Sequence, residues 1–516
     1  MFLLLLRVPA IVQPAGGDQG LYAYSAQRLL AGGVPYQAAW DQKPPGIAVV
    51  YAVLVGLWPH QSVVAIADLV AAAAIAWLLL VLGRRAGSVT SGWVAASVFL
   101  LLSHPSLTRL SGVYVRSQCE TFIALLVAAS VVVLCNEARR WPSLFIAGIG
   151  LGLAVWLKYN AVAYVLPLMV ATAIWPRARG PKRMLREFGW IMTGVVLVTA
   201  VALTYFAVHG ALTDLRLATI DYNLRYSTET YANPINAASY VVTLPVLRAR
   251  VDLLWFLGGL GVILAVTARP VNPLTWVVVS WILAALVSIG VNGARDLPQY
   301  FVQASPALAA AAGLGLASLR TRPARHRYLV VAVILVGLWK IGDEPPAVGV
   351  LRLGGLPQLA RNIQFDLAYL RGRLDRATYL ARFGAGKFDA AATDEVIAYV
   401  KAQTTPADSV FVFGFSGGTI GAWSGRRSPT RFFWSRPVIL EFAADRPGYG
   451  SAGLLRDLER DPPALVVLQK YDWRFGESLP NSAEFFQSTP ALRAWLDAGY
   501  QPDRETAMFA IWKRRG

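Results

Sequence analysis

Residues 18–45 read DQGLYAYSAQRLLAGGVPYQAAWDQKPP. The stretch carries Asp18, Arg28, Asp41 and Lys43 and is too polar to cross a bilayer, yet apolar sequence flanks it on both sides. Elsewhere in the chain, apolar runs reach the ~20 residues a helix needs to span a hydrocarbon core. Asp18, Asp41 and Lys43 therefore belong at or just outside a membrane surface. Polar groups held between apolar segments are functional candidates by default.

The rest of the chain agrees with that setting. Of 516 residues, 56% are hydrophobic and only 15% charged, against roughly 25% charged in soluble domains. An ordinary soluble protein is excluded; this is a polytopic membrane protein. The net charge of +18 invites a nucleic-acid reading. The arginines, however, cluster in short loops between apolar runs, as the positive-inside rule requires. The expected partner is the lipid bilayer, not nucleic acid. Cys119 and Cys135 lie at or inside one apolar stretch and read as small apolar residues. His60, His104, His209 and His326 are scattered, and no Cys/His metal spacing exists.

Residues 1–12 match a signal-peptide core in length but lack a small-residue cleavage site before Asp18, so they read as the end of a first transmembrane helix. Within the opening stretch, Leu21, Tyr24, Ala26, Leu29 and Leu30 recur at helical spacing, and Gly32 and Gly33 end that helix. Residues 46–58 are apolar but too few to span; Pro44 and Pro45 open them and Pro59 stops them. Placed flat at the interface, they let the basic loops at 84–85, 139–140, 177–186, 269 and 320–327 share one side. Spans are expected near 62–83, 89–103, 121–136, 143–157, 160–175, 188–208, 252–268, 274–291, 301–318 and 328–341. With the first, that makes about eleven transmembrane helices, an N-terminus in the cytoplasm and a C-terminus outside. Asp68 is the main charge inside a span, and it reads as facing the interface loop.

After Ile341 the hydropathy drops. Residues 1–341 thus form a membrane domain, 342–390 a linker along the membrane with one helical stretch, and 391–516 a soluble extracytoplasmic α/β domain. A capped helix begins near Thr393, and strands are expected at 409–415, 464–469 and 507–512. Gly414, Gly417 and Gly418 follow a strand, but the spacing is not GxGxxG and no lysine follows, so a tight turn is read there.

On this topology the external face collects the candidate groups. The first loop gives Asp18, Gln19, Asp41 and Lys43, and later turns give Arg116 with Glu120 and Lys158 with Tyr159 and Asn160. Loop 209–250 adds Asp221, Tyr222, Asn223, Arg225 and Tyr226; the loop near 292 adds Asn292, Arg295, Asp296 and Tyr300. Lysines and arginines at helix ends also snorkel without any function. Carboxylates take protons or bind metals, and cations stabilise a leaving phosphate. Together they suit transfer of a group from a membrane-embedded phosphate carrier. Tyr22, Tyr24, Trp40 and Tyr51 suit a sugar-stacking wall or interfacial anchoring.

The first-loop motif with its AspGlnLysProProGly segment at 41–46 resembles the first external loop of the GT-C glycosyltransferases, nearest the protein mannosyltransferase (family 39) and aminoarabinose transferase group. Residues 150–159 (GLGLAVWLKY) resemble that group's Gly-rich helix ending in lysine, and 295–308 its Arg/Tyr-to-Pro motif. The resemblance covers roughly 1–341. It implies interfacial helices in the first loop and inverting transfer of a sugar from a polyprenyl-phosphate donor to an acceptor outside the cytoplasm. It also implies a hexosyl- or pentosyltransferase of the bacterial inner membrane. By motif, Asp18 matches the catalytic aspartate, Lys43 the lysine that meets the lipid phosphate, and Glu120 the second acidic position. Lys158 and Arg295 match further phosphate contacts. Asp41, Arg116, Tyr22 and Tyr300 complete the candidate substrate-binding set.

Two departures bear on cofactors. Gln19 and Gln42 stand where the group often has glutamate, which removes two carboxylates. Gln42 is a poorer metal ligand, so no cofactor is expected and a divalent metal is not supported. The resulting expectation is that Asp18 activates an acceptor hydroxyl while Lys43, with Lys158 or Arg295, stabilises the departing phosphate. A flippase or exporter of lipid-linked saccharides, or a ligase or polymerase, is the alternative. The chain shows no internal repeat of the kind transporters carry.

Overall fold

In a computed structural model the chain is described at all residues except 109, 111, 175–179, 229–233, 293–296, 343–351 and 475–478, and the side chains of 227, 228, 234–237 and 385. It divides into two compact units. One comprises Met1–Ile11, Ala65–Tyr205 and Leu224–Leu367; the other comprises Val12–Val64, Phe206–Asn223 and Ala368–Gly516.

The first unit is helical. Val63–Arg85, Pro181–Val208, Leu274–Val291 and the segment Pro298–Thr321 are long and apolar enough to cross a membrane. Ala238–Ala249 and Leu253–Val266 are apolar enough only when taken together, and they meet at a bend of 105°. Val89–Leu102, Cys119–Leu134, Trp141–Leu157 and Tyr159–Ile174 are shorter apolar helices at the expected positions. The four clear spans, five with the bent pair, leave the count of about eleven unconfirmed. Residues 209–250, read as a loop, instead hold helices Leu212–Arg216, Tyr222–Thr228 and Pro234–Ala249. Their mixed polarity hides them from a hydropathy reading.

Small residues bring these helices together. A methyl on Gly261 would lie 2.4 Å from the Ala311 carbonyl oxygen, and one on Gly315 would lie 2.4 Å from that of Gly261. Leu253–Val266 and Ser305–Ser318 therefore touch backbone to backbone, a packing that only small residues permit in lipid. Asp252 caps the former by accepting from the Leu254 and Trp255 amides. Two buried ion pairs lie among these helices. Asp68 does not face a loop: it is buried and lies 3.4 Å from Arg7, which also donates to Ser103 Oγ at 2.9 Å. Arg139 meets Glu187 at 2.7 Å and donates to the Leu134 carbonyl. Leaving such charges unpaired inside a protein would cost several kcal/mol each. Cys119 and Cys135 are buried and form no disulfide.

The second unit joins the first-loop stretch to the C-terminal half of the chain. Its sheet has the order β3 (Val410–Phe413), β4 (Leu465–Gln469), β6 (Phe509–Arg514), β5 (Tyr500–Glu505); β3 and β4 are parallel and the other pairs antiparallel. A short hairpin, β1 (Gly384–Ala385) and β2 (Phe388–Asp389), precedes it. Val396 and Val400 pack with Val410, Val412, Leu465 and Ile511 in the core. The helix expected from Thr393 begins earlier, at Ala390, because Asp389 caps it by accepting from the Ala392 amide. The turn read over Gly414, Gly417 and Gly418 ends at Ser416, and helix Gly417–Ser424 follows; methyls added at Gly414 and Gly417 would lie 2.4 Å from Gln469 Cβ and 2.1 Å from the Phe433 carbonyl oxygen.

The stretch itself forms two helices, Gly17–Leu30 and Gly46–Leu57. At 1.5 Å per residue the latter is about 18 Å long, too short to span. It buries Ile47, Ala48, Tyr51 and Val55 and leaves Val49, Val53 and Leu57 uncovered along one side of this unit.

Candidate active site

The candidate residues fall into two clusters, one in each unit. In the second unit, Asp18 sits in the first turn of Gly17–Leu30, where helix amide groups favour a negative charge. It is half-buried, and its neighbour Gln19 is fully buried. Tyr22, one turn on, meets Tyr51 edge to face at 5.3 Å. The Lys43 ammonium lies 4.7 Å from the centre of the Tyr22 ring, a cation–π arrangement.

Asp41 is buried, and its Oδ1 accepts the Gln42 amide at 2.7 Å. Burial pushes the Asp41 carboxyl above the ordinary aspartate range. The Lys43 charge opposes that rise and the Asp18 charge adds to it. Asp18, Asp41, Lys43 and Tyr22 thus form one electrostatically connected group on the first-loop shelf.

The Asp18 helix is seated on the loop and helix after β3. A methyl on Gly17 would meet Phe415 at 2.2 Å, one on Gly418 would meet Leu21 Cα at 2.7 Å, and one on Gly421 would meet Tyr24 at 2.8 Å. The Tyr24 hydroxyl accepts the Ser428 amide at 2.7 Å, and Gln27 Nε2 donates to the Ala422 carbonyl at 3.0 Å.

In the first unit, Glu120 is buried in the first turn of Cys119–Leu134 and accepts from Lys158 Nζ at 2.7 Å. The same ammonium lies 4.2 Å from the centre of the Tyr300 ring. Glu120, Lys158 and Tyr300 are therefore brought together, and Lys158 carries a carboxylate partner. Arg116 is buried, donates to the Ala10 carbonyl at 3.3 Å and packs beneath Gly112, so its guanidinium has a structural seat. Asn160 donates to the Ser288 carbonyl at 2.7 Å. Arg295 and Asp296 lie outside the described residues. Among the described residues no three His, Cys, Asp or Glu side chains converge as a metal set.

Some neighbours of the first-loop stretch carry no local signal. Asp214 accepts from Arg431 (3.1 Å), Tyr449 (3.1 Å) and Gln37 (2.9 Å), tying the first loop to residues far along the chain. Trp40 is fully buried among Tyr222, Phe432, Trp434 and Phe442.

Neither a family model nor a curated protein matches the sequence. Solved structures do. ArnT from Cupriavidus metallidurans bound to undecaprenyl phosphate superposes with a TM-score of 0.59 at 14% identity, over 99% of this chain and 96% of that one. The chain has the GT-C fold. The apo state of the same ArnT gives 0.51 at 14% identity, over 97% of this chain and 93% of that one. The oligosaccharyltransferase of Archaeoglobus fulgidus in the apo form gives 0.47 at 13% identity, over 91% and 69%. Within this fold, the Asp18 group lies in the first-loop segment, 18–46, that carries the motif resemblance.

Proposed function

We propose that the protein is an inverting glycosyltransferase that moves a hexose or pentose from a polyprenyl-phosphate donor to a hydroxyl-bearing acceptor. The observation that carries this reading is the grouping of Asp18, Asp41, Lys43 and Tyr22 on one shelf of a GT-C fold. That fold is shared with an ArnT that binds undecaprenyl phosphate.

The chemistry follows from the side chains. Asp18 takes the proton of the acceptor hydroxyl; the oxygen attacks the anomeric carbon from the face opposite the phosphate. The bond from that carbon to the phosphate oxygen breaks, and the electron pair leaves with the polyprenyl phosphate. Lys43 balances the charge that develops there. An apolar groove of about 1050 Å³, lined by Trp255, Phe256, Leu308, Val333 and Val336 among others, suits a lipid chain. Counting the bent pair once and adding the shorter apolar helices and Ala324–Lys340, with Gly46–Leu57 kept at the interface, gives eleven spans. Read with the positive-inside rule, this count supports an N-terminus in the cytoplasm of a bacterial plasma membrane and a C-terminal half outside.

One observation favours a second reading. The span broken by 105° is of the kind that lines transport pathways, which would suit a flippase of lipid-linked saccharides. Purified protein incubated with a panel of polyprenyl-phosphate sugars and acceptors separates the two. A transferase releases polyprenyl phosphate, and Asp18→Asn abolishes the release while donor binding persists. Asp18→Asn at native turnover removes the base assignment; movement of intact donor without release establishes the flippase.

A further inference from the structure

The AspGlnLysProPro segment has no regular secondary structure, so its backbone groups need partners from elsewhere. In most surface loops water supplies them. Here other parts of the chain do. The Trp40 amide donates to the Arg431 carbonyl at 2.9 Å, and the Gln42 amide donates to Asp41 Oδ1. Three carbonyls accept from three separate parts of the chain. Trp434 Nε1 donates to Trp40 O at 3.0 Å, Asn223 Nδ2 to Gln42 O at 2.7 Å, and the Tyr36 hydroxyl to Lys43 O at 2.9 Å.

Each donor is itself held at some expense. Tyr36 adopts φ +69°, a left-handed conformation that is strained for a bulky residue and persists only where its surroundings impose it. Asn223 follows the π-helical turn Leu217–Asp221, and turns of that kind occur often at functional sites. Trp434 stacks on Trp40 at 6.2 Å and meets the tilted ring of Trp473 at 6.1 Å. A lysine is a flexible stem with a point charge. Fixing its backbone on one side and its ammonium over Tyr22 on the other removes most of that freedom.

We propose that Tyr36, Asn223 and Trp434 are positioning residues that preorganise Lys43 for the donor phosphate. The inference rests on the reading of Lys43 as the phosphate holder. Preorganisation raises affinity by removing the entropy a flexible cation would lose on binding. Its signature is coupling to Lys43 rather than loss of fold.

The test titrates a polyprenyl monophosphate into the full-length purified protein and follows thermal unfolding in parallel. Tyr36→Phe, Asn223→Leu and Trp434→Phe each weaken affinity by about threefold to tenfold, the size of one lost hydrogen bond. In a Lys43→Ala background the same three changes have no further effect on affinity, because coupled residues are not additive. If they weaken binding equally with and without Lys43, or shift only the unfolding temperature, the positioning role is overturned. Tyr36→Phe keeps the ring and so remains informative should Trp434→Phe fail to fold. If Lys43→Ala itself binds polyprenyl phosphate as tightly as the native protein, the role of Lys43 falls and the inference falls with it. That result is distinguishable from the others because it appears in the single variant.

Discussion

Gly20→Ala tests whether the seat of the Asp18 helix matters to the chemistry. The added methyl would lie 2.0 Å from Thr419 Oγ1, 2.5 Å from Thr419 Cα and 2.7 Å from its Cβ. The hydroxyl can rotate away, but the Cα cannot. Ordinary carbon contacts begin near ~3.5 Å, so the two helices must part by about 1 Å. Overpacking of this kind costs roughly 1–3 kcal/mol. Gly20 is two residues from Asp18 on the same short helix, and a ~1 Å displacement of a catalytic group slows a reaction on the order of 100-fold. Turnover is read as released polyprenyl phosphate, with thermal inactivation as the measure of stability. Gly56→Ala is the control, since its nearest neighbour would be Leu30 Cδ1 at 3.8 Å. Turnover of Gly20→Ala within about twofold of native would refute the seating argument.

Asp41 makes a pH prediction. Burial raises its carboxyl above the ordinary aspartate range, so the folded protein binds that proton more tightly than the unfolded chain does. Its cost to stability is therefore greatest above the folded pKa and is relieved as pH falls through it. Protonation there also replaces the charged acceptor of the Gln42 amide with a weaker neutral one, so donor affinity should fall on the acid side above the usual carboxylate range. Asp41→Asn should flatten that limb, and an unchanged profile would rule Asp41 out as its source. For the pair in the other unit, Lys158→Met leaves Glu120 buried without a cation and should cost about 3–5 kcal/mol. The double variant Glu120→Leu with Lys158→Met should recover much of that loss in thermal unfolding. Strict additivity of the single changes would show that the 2.7 Å contact is not coupled.

The legible parts were those written in local chemistry. Pro44, Pro45 and the short apolar run marked Gly46–Leu57, and the apolar runs marked the later helices, because hydropathy and helix ends are properties of neighbours. The break between Ala249 and Leu253 was missed: Pro245 lies in a segment of mixed polarity that reads as loop. The Asp389 cap carries no hydropathy signal, and it starts the helix at Ala390, three residues before Thr393. At the site, Asp18, Asp41, Lys43 and Tyr22 could be named because they lie within one motif. Trp434 and Arg431 could not, since their bonds to Trp40 join residues nearly four hundred positions apart and leave no local pattern.

That separation sets an order of events during synthesis. The shelf ends at Val64, whereas the residues that clasp it lie at Phe415–Trp434. At about 5–20 residues per second a ribosome needs on the order of half a minute to bridge the gap. During that time the helix bearing Asp18 has no seat, and Trp40 has none of its aromatic neighbours from the C-terminal half. A chain interrupted before Trp434 would insert its spans yet leave the shelf unclasped. If Asp18 is the base proposed above, competence is thereby delayed until the polypeptide is nearly finished.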